Sequence, residues 1–242
     1  MKKIPVVVSA FMFIGCFASA ETVSFEKILE IITSRYETIS DYQCRLNEWS
    51  SRGKKVEDRV INFYFKKPRN IRMDILKGNK PFDTGSSGVY NGGNTVVGHK
   101  GGILAPVALK VSKHDALATT IRGLTFDQSD LQETVEILQF HMKNSSVTVR
   151  ELKDGVYEVT CIPPDPAKND GMAKDIIWID TKTALPVFNE RYEGNTVVQR
   201  ARWTNFIIDA GLPEELFKIR FNPAKLSELG INSINELGIE KE

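Results

Sequence analysis

The sequence predicts an α+β protein built on an antiparallel sheet, with amphipathic helices available to cover one face. Three observations predict it. Between Arg59 and Lys77, Ile61, Phe63 and Phe65 alternate with Asn62, Tyr64 and Lys66; past Pro68, Ile71, Met73 and Ile75 alternate with Arg72, Asp74 and Leu76. A period of two marks strands with one buried face, because successive side chains point to opposite sides. Further runs of this kind recur along the chain with short turn-forming links, which join antiparallel rather than parallel neighbours. Two stretches with helical spacing, one near the N-terminus and one at mid-chain, supply the cover.

The first residues read as a targeting segment. Lys2 and Lys3 precede an apolar run from Ile4 to Phe17, too short to span a bilayer comfortably, and Ala18-Ser19-Ala20 is an A-x-A cleavage site. Export to the periplasm and a mature start at Glu21 are expected. The rival processing is at Cys16, after Phe13-Ile14-Gly15, which would leave a membrane-anchored lipoprotein. Removing residues 1–20 takes away two lysines and no acid, so the formal charge of +1 becomes −1. Such a balance gives no broad basic footprint for nucleic acid and no basic block for anionic lipid. The remaining cysteines, Cys44 and Cys161, lie in strand-like runs. In an oxidising compartment they are disulfide candidates; as free thiols they would be small buried apolar residues.

Ser24 is a good N-cap for a helix over residues 25–39, with Phe25, Ile28, Leu29 and Ile32 on one face. Tyr42 to Ser50 reads as a strand, Gly53-Lys54-Lys55 as a turn, and the pair described above follows around a Lys67-Pro68-Arg69-Asn70 corner. Residues 78–104 are glycine-rich. Val89-Tyr90 and Thr95-Val96-Val97 flank Asn91-Gly92-Gly93-Asn94, a hairpin signal. No phosphate-binding loop pattern occurs there. His114 to Arg122, ending at Gly123, and a stretch opened by Ser129 and Gln132 read as helices; Leu131, Val135, Leu138 and Met142 share a face of the second. Strands are expected at Val147–Leu152, Val156–Ile162, Asp175–Asp180 and Leu185–Tyr192, and a long one from Thr196 to Asp209. Beyond Pro223 the chain reads as a polar helical tail.

The chemistry-bearing residues form no catalytic pattern. His99, His114 and His141 sit in no zinc-binding spacing, and Gly85-Ser86-Ser87-Gly88 lacks the spacing of a nucleophile elbow. His99 reads as surface, and Asp165, Asp170, Asp175 and Asp180 read as solvated loop carboxylates. The aromatic residues Phe63, Phe65, Trp178, Phe188, Trp203 and Phe206 occupy alternating strand positions. Packed core and cavity lining both require that pattern, and the sequence leaves both open. In the cavity reading, Ile61, Phe63, Phe65, Ile71, Met73 and Ile75 line an apolar space, joined by Trp178 and Phe188.

Several motifs resemble those of LolA-like proteins, the periplasmic carriers of lipoproteins. Phe65-Lys66-Lys67-Pro68-Arg69-Asn70-Ile71-Arg72-Met73 resembles their strand-corner-strand, and Val89-Tyr90-Asn91-Gly92-Gly93-Asn94-Thr95 their next hairpin. Ile177-Trp178-Ile179-Asp180, Leu185-Pro186 and Gly194-Asn195 resemble their late strands; Phe206, Gly211-Leu212-Pro213, Phe217 and Asn222-Pro223 resemble their closing segment. The likeness runs in family order over residues 22–223. It implies a strongly curved antiparallel half-barrel with helices over its concave face, a cavity for acyl chains, no enzymatic activity and no cofactor. It also implies that position 67 belongs to the lid; the family's arginine there is Lys67 in this chain, without the bidentate fork. The glycine-rich segment, the cysteines and the tail depart from LolA and resemble a separate branch of the superfamily. The expected organisation is a signal peptide (1–20), a single lipid-binding domain (21–223) and a helical tail (224–242). The expected partners are the acyl chains of a lipid or lipoprotein and a membrane-bound donor or acceptor. The alternative is an envelope sensor or interaction module that regulates a membrane partner.

Overall fold

A computed structural model describes residues 23–219. The targeting segment with both its processing sites, and the tail from 224 onward, lie outside the described residues. Eleven strands form one antiparallel sheet in the order β6-β5-β4-β3-β2-β1-β11-β10-β9-β8-β7. The sheet is curved and open, with β6 and β7 at its edges. The strands are β1 (Asp41–Arg52), β2 (Lys55–Lys66), β3 (Asn70–Gly78), β4 (Ser87–Asn91), β5 (Thr95–His99) and β6 (Ala108–Ser112), then β7 (Ser146–Lys153), β8 (Val156–Ile162), β9 (Lys174–Asp180), β10 (Leu185–Glu193) and β11 (Thr196–Ile208). Only β11 returns from the far end, to pair with β1. Every other neighbour follows directly in sequence, as short links require.

Helix α1 (Phe25–Thr38) starts where Ser24 accepts a hydrogen bond from the Lys27 amide, and it buries Phe25, Ile28, Leu29 and Ile32. Helix α2 (Leu131–Asn144) packs against α1, β7 and β10. Its N-cap is Asp130, whose side chain accepts from the Glu133 amide. The expected Ser129–Gln132 cap is therefore corrected. The reciprocal capping box belongs instead to Thr125 and Gln128, on a short 3-10 turn. Leu131, Val135 and Leu138 are buried as expected, but Met142 is exposed, and Thr134 and His141 take the inner face with them.

The helix expected over 114–122 does not form; the segment is a series of turns. Its polar side chains offer the backbone local partners. Asp115 accepts from the Leu117 amide, and the Thr120 hydroxyl from the Arg122 and Leu124 amides. Such bonds compete with helical ones. Strand β6, just before it, was not anticipated.

Cys44 and Cys161 are both buried and free, so the disulfide candidate is overturned. They lie on β1 and β8, with β11, β10 and β9 between. Four strand spacings of about 4.8 Å each separate them along the sheet, whereas a bridge needs Cα atoms within about 7 Å. Burial pushes the Cys161 thiol up to about 12 and the Cys44 thiol higher still.

Candidate functional site

The concave face carries a cavity of about 200 Å³. Strands β1 to β3 supply an apolar floor of Leu46, Ile61, Met73 and Ile75. The first edge adds Val96, Leu109 and Val111, and the far wall Asn189, Arg191, Ala201 and Trp203. Segment 116–129 and the α2 residues Glu133, Thr134 and Ile137 form the roof. None of the lining residues lies on α1. Gly88 shapes one side: a Cβ there would stand 2.6 Å from the Phe126 ring, so only glycine lets that ring lie against β4.

The sequence-selected residues divide. Ile61, Met73 and Ile75 line the cavity. Phe63, Phe65 and Ile71 are at most 1% exposed and belong to the packed core, with Tyr42 stacked on Phe63 at 5.8 Å and on Phe65 at 5.1 Å. Trp178 and Phe188 do not reach the cavity. They pair across β9 and β10 at 4.5 Å, on the opposite face from the buried Ile177 and Ile179. There the Trp178 indole N–H donates to Glu158 and the Arg202 guanidinium lies over the Phe188 ring. In Ile176-Ile177-Trp178-Ile179 both faces are apolar, so alternation alone could not say which one turns inward.

The corner between β2 and β3 holds both the end of α1 and the roof. Lys67 Nζ donates to the Glu37 carbonyl at the end of α1 (2.9 Å) and lies over the Tyr36 ring. Arg69, two residues on, reaches the roof itself. Its Nε donates to Asp130 Oδ2 (3.1 Å) and its Nη2 to the Asp127 carbonyl, so it grips the residue that caps α2.

Polar side chains gather at the end of the cavity away from this corner. Arg59 on β2 bridges Glu48 (2.6 Å) and Glu57 (3.3 Å); Lys80 reaches Glu57 (2.9 Å) and Lys100 reaches Asp83 (3.5 Å). Glu57 and Asp83 are buried. His99, expected at the surface, lines the same space. On α2, Glu133 makes no ion pair and no side-chain hydrogen bond among the described residues. Burial, then repulsion from Glu136 and Asp130, push its carboxyl up to about 7, with Arg69 and Arg191 tempering the effect.

A second polar group lies outside the cavity. His141 Nε2 donates to Asp175 Oδ2 (2.8 Å), and His141 Nδ1 lies 2.7 Å from Ser145 Oγ. Asp175, expected to be solvated, is fully buried and also accepts from Arg191 Nε (3.0 Å) and Asn169 Nδ2 (2.9 Å). Burial would raise this carboxyl, but the His141 hydrogen bond, the Arg191 charge and Asn169 outweigh it and hold it below its ordinary range. The order Ser-His-Asp is that of a hydrolase relay. However, none of the three lines the cavity, and Asp175 is saturated by other donors. The group ties the C-terminal end of α2 to β9 and β10. Nothing in the sequence spacing of these residues announced it. Among the described residues no cluster of His, Cys, Asp and Glu could hold a metal ion.

No protein-family model and no curated protein matches the chain. Its fold is that of solved structures. An uncharacterized conserved protein from Thermus thermophilus is 13% identical, with a TM-score of 0.51 over 82% of this chain and 95% of that one. The lipoprotein LppX of Mycobacterium tuberculosis is 10% identical, TM-score 0.45, over 76% and 96%. A LolA superfamily protein from Nitrosomonas europaea is 11% identical, TM-score 0.39, over 81% and 98%. At these identities the likeness is one of fold alone.

Proposed function

We propose that this chain is an exported, non-enzymatic carrier that takes acyl chains of a lipid or lipoprotein into the concave cavity. The observation that carries the reading is the cavity itself: about 200 Å³ over an apolar floor of Leu46, Ile61, Met73 and Ile75. One probe sphere of about 10–15 Å³ suffices for a water, so this space is far larger than packing defects ordinarily are. An acyl chain entering it would gain about 0.8 kcal/mol per buried CH₂. The roof supports the reading too. It is a turn-rich segment and one helix, pinned at the β2–β3 corner by Arg69.

The direct experiment is mass spectrometry of lipids extracted from protein purified from its native envelope, paired with uptake of a fluorescent fatty acid. Saturable uptake is expected, and Met73→Trp, which fills the floor, should abolish it with the fold intact. A parent protein that takes up no acyl chain and carries no lipid would sink the carrier reading. Retention of one membrane protein under those conditions would put the interaction-module reading in its place. N-terminal sequencing of the exported protein should begin at Glu21; a diacylated start at Cys16 would put it on a membrane surface.

A further inference from the structure

The polar atoms on the cavity wall are unevenly matched. Four cations line it, and each is already committed: Arg59 to Glu48 and Glu57, Lys80 to Glu57, Lys100 to Asp83, and Arg191 to Asp175. Asp130, also on the wall, is held by Arg69. The acid that remains is Glu133, which projects from the first turn of α2 into the roof with no partner among the described residues. Two acceptors of the wall are buried without hydrogen bonds, Asn189 Oδ1 and Asp83 Oδ2, and Asp83 is only 3% exposed. Against them stands one buried donor without a hydrogen bond among the described residues, Arg59 Nε, on a guanidinium whose charge is shared by two carboxylates. Buried polar groups are ordinarily satisfied, and each exception calls for an explanation. A ligand that removed water from this wall would leave acceptors without donors unless it brought a donor with it.

We propose that the cavity takes an amphiphile whose polar end is a protonated amine, with the alkyl part on the Ile61–Met73–Ile75 floor and the ammonium against Glu133. The proposal rests on the acyl-carrier reading and narrows it. An ammonium has three donors and no acceptor, and it compensates the one unpaired carboxylate of the wall. An anionic head, carboxylate or phosphate, would add acceptors where buried acceptors are already in excess and would meet Glu133 on α2 and Asp130 at its cap. A neutral hydroxyl could donate once but would leave the charge uncompensated. The groups that face Glu133 set a pH dependence. Asp130 and Glu136 on its own helix disfavour its charge; Arg69 from the β2–β3 corner and Arg191 from β10 favour it. With the carboxyl titrating near 7 in the free protein, binding of a cation draws off its proton. Amine affinity therefore rises as pH rises through 7 and levels off above, while the amine itself stays protonated.

The test is calorimetric titration of the full chain with three probes of equal length, octylamine, octanoate and octanol, at pH 5.5 and pH 8. At pH 8 octylamine should bind at least tenfold more tightly than either other probe, and the margin should shrink several-fold at pH 5.5. Glu133→Gln should erase the margin and its pH dependence while octanol affinity stays unchanged. Asn189→Leu, away from the α2 cap, should weaken octylamine alone by a few-fold. If octanoate or octanol binds as tightly as octylamine at pH 8, or Glu133→Gln keeps the margin, the headgroup proposal falls and the carrier reading stands. If no probe binds, both fall.

Discussion

The concave face has two halves built from the same strands, and one is full while the other is hollow. Near the Lys67–Asn70 corner, Phe63, Phe65 and Ile71 meet Tyr42 and the start of α2, and the gap left beside Tyr42 and Leu131 is about 10 Å³, room for roughly one water. Further along β2 and β3, Ile61, Met73 and Ile75 face about 200 Å³. The alternation does not change between the halves; what lies opposite does. Over the full half α2 lowers Leu131, Val135 and Leu138 into the core. Around the hollow half stand Gly88, Gly98, Ala116, Ala118 and Ala201, and the roof is a turn-rich segment whose hydrogen bonds are largely its own. A buried apolar stripe becomes core or cavity according to the size and reach of its partners.

The sharpest way to break this comparison is truncation in each half. Phe63→Ala should cost about 3–5 kcal/mol in denaturant unfolding, because its neighbours cannot collapse into the space. Met73→Ala, beside an existing void, should cost about 1 kcal/mol while changing fatty-acid uptake. Equal costs would mean that the two halves are packed alike.

Next in size is the polar group behind the hollow half. Arg191→Met leaves Asp175 buried with less compensation, and should cost about 3 kcal/mol at pH 7. The depressed Asp175 carboxyl contributes stability that is present above its unfolded pKa and lost as pH falls through its folded one. Unfolding followed from pH 7 to pH 3 should therefore show a shallower acid loss in the variant than in the parent. An identical acid profile would remove Asp175 from the account.

Glu133 has the opposite sign. Its carboxyl is raised from 4.5 to about 7, so the folded state loses stability as pH climbs between those values. Glu133→Gln should stabilise the protein by about 1 kcal/mol at pH 8, after allowance for solvent screening of a half-buried group, and by nothing at pH 4. A variant less stable than the parent at pH 8 would contradict the unpaired-acid description.

The smallest effect belongs to the cysteines. Both are buried thiols with raised pKa, so Cys44 and Cys161 should react with a thiol reagent only after unfolding. Non-reducing and reducing electrophoresis should give the same mobility. Faster migration without reductant would reopen the bridge.

The sequence by itself determined the local elements. Ser24 and the apolar spacing behind it fixed α1; the alternation of Ile61 to Ile75 fixed β2, β3 and their corner; Asn91 to Asn94 fixed the next hairpin. These are decided by neighbours two to four residues apart, which is the range a pattern reports. Tertiary structure decided what patterns cannot carry. Residues 114–122 have helical spacing but adopt turns, because Asp115 and Thr120 capture nearby amides. Trp178 faces outward because β9 is apolar on both sides and only its neighbours select one. Asp175 is buried because His141, Arg191 and Asn169, distant in sequence, converge on it. The cavity is the clearest case. It is a volume left between the floor strands and a roof about 40 to 90 residues away along the chain, and no single segment encodes an unfilled space.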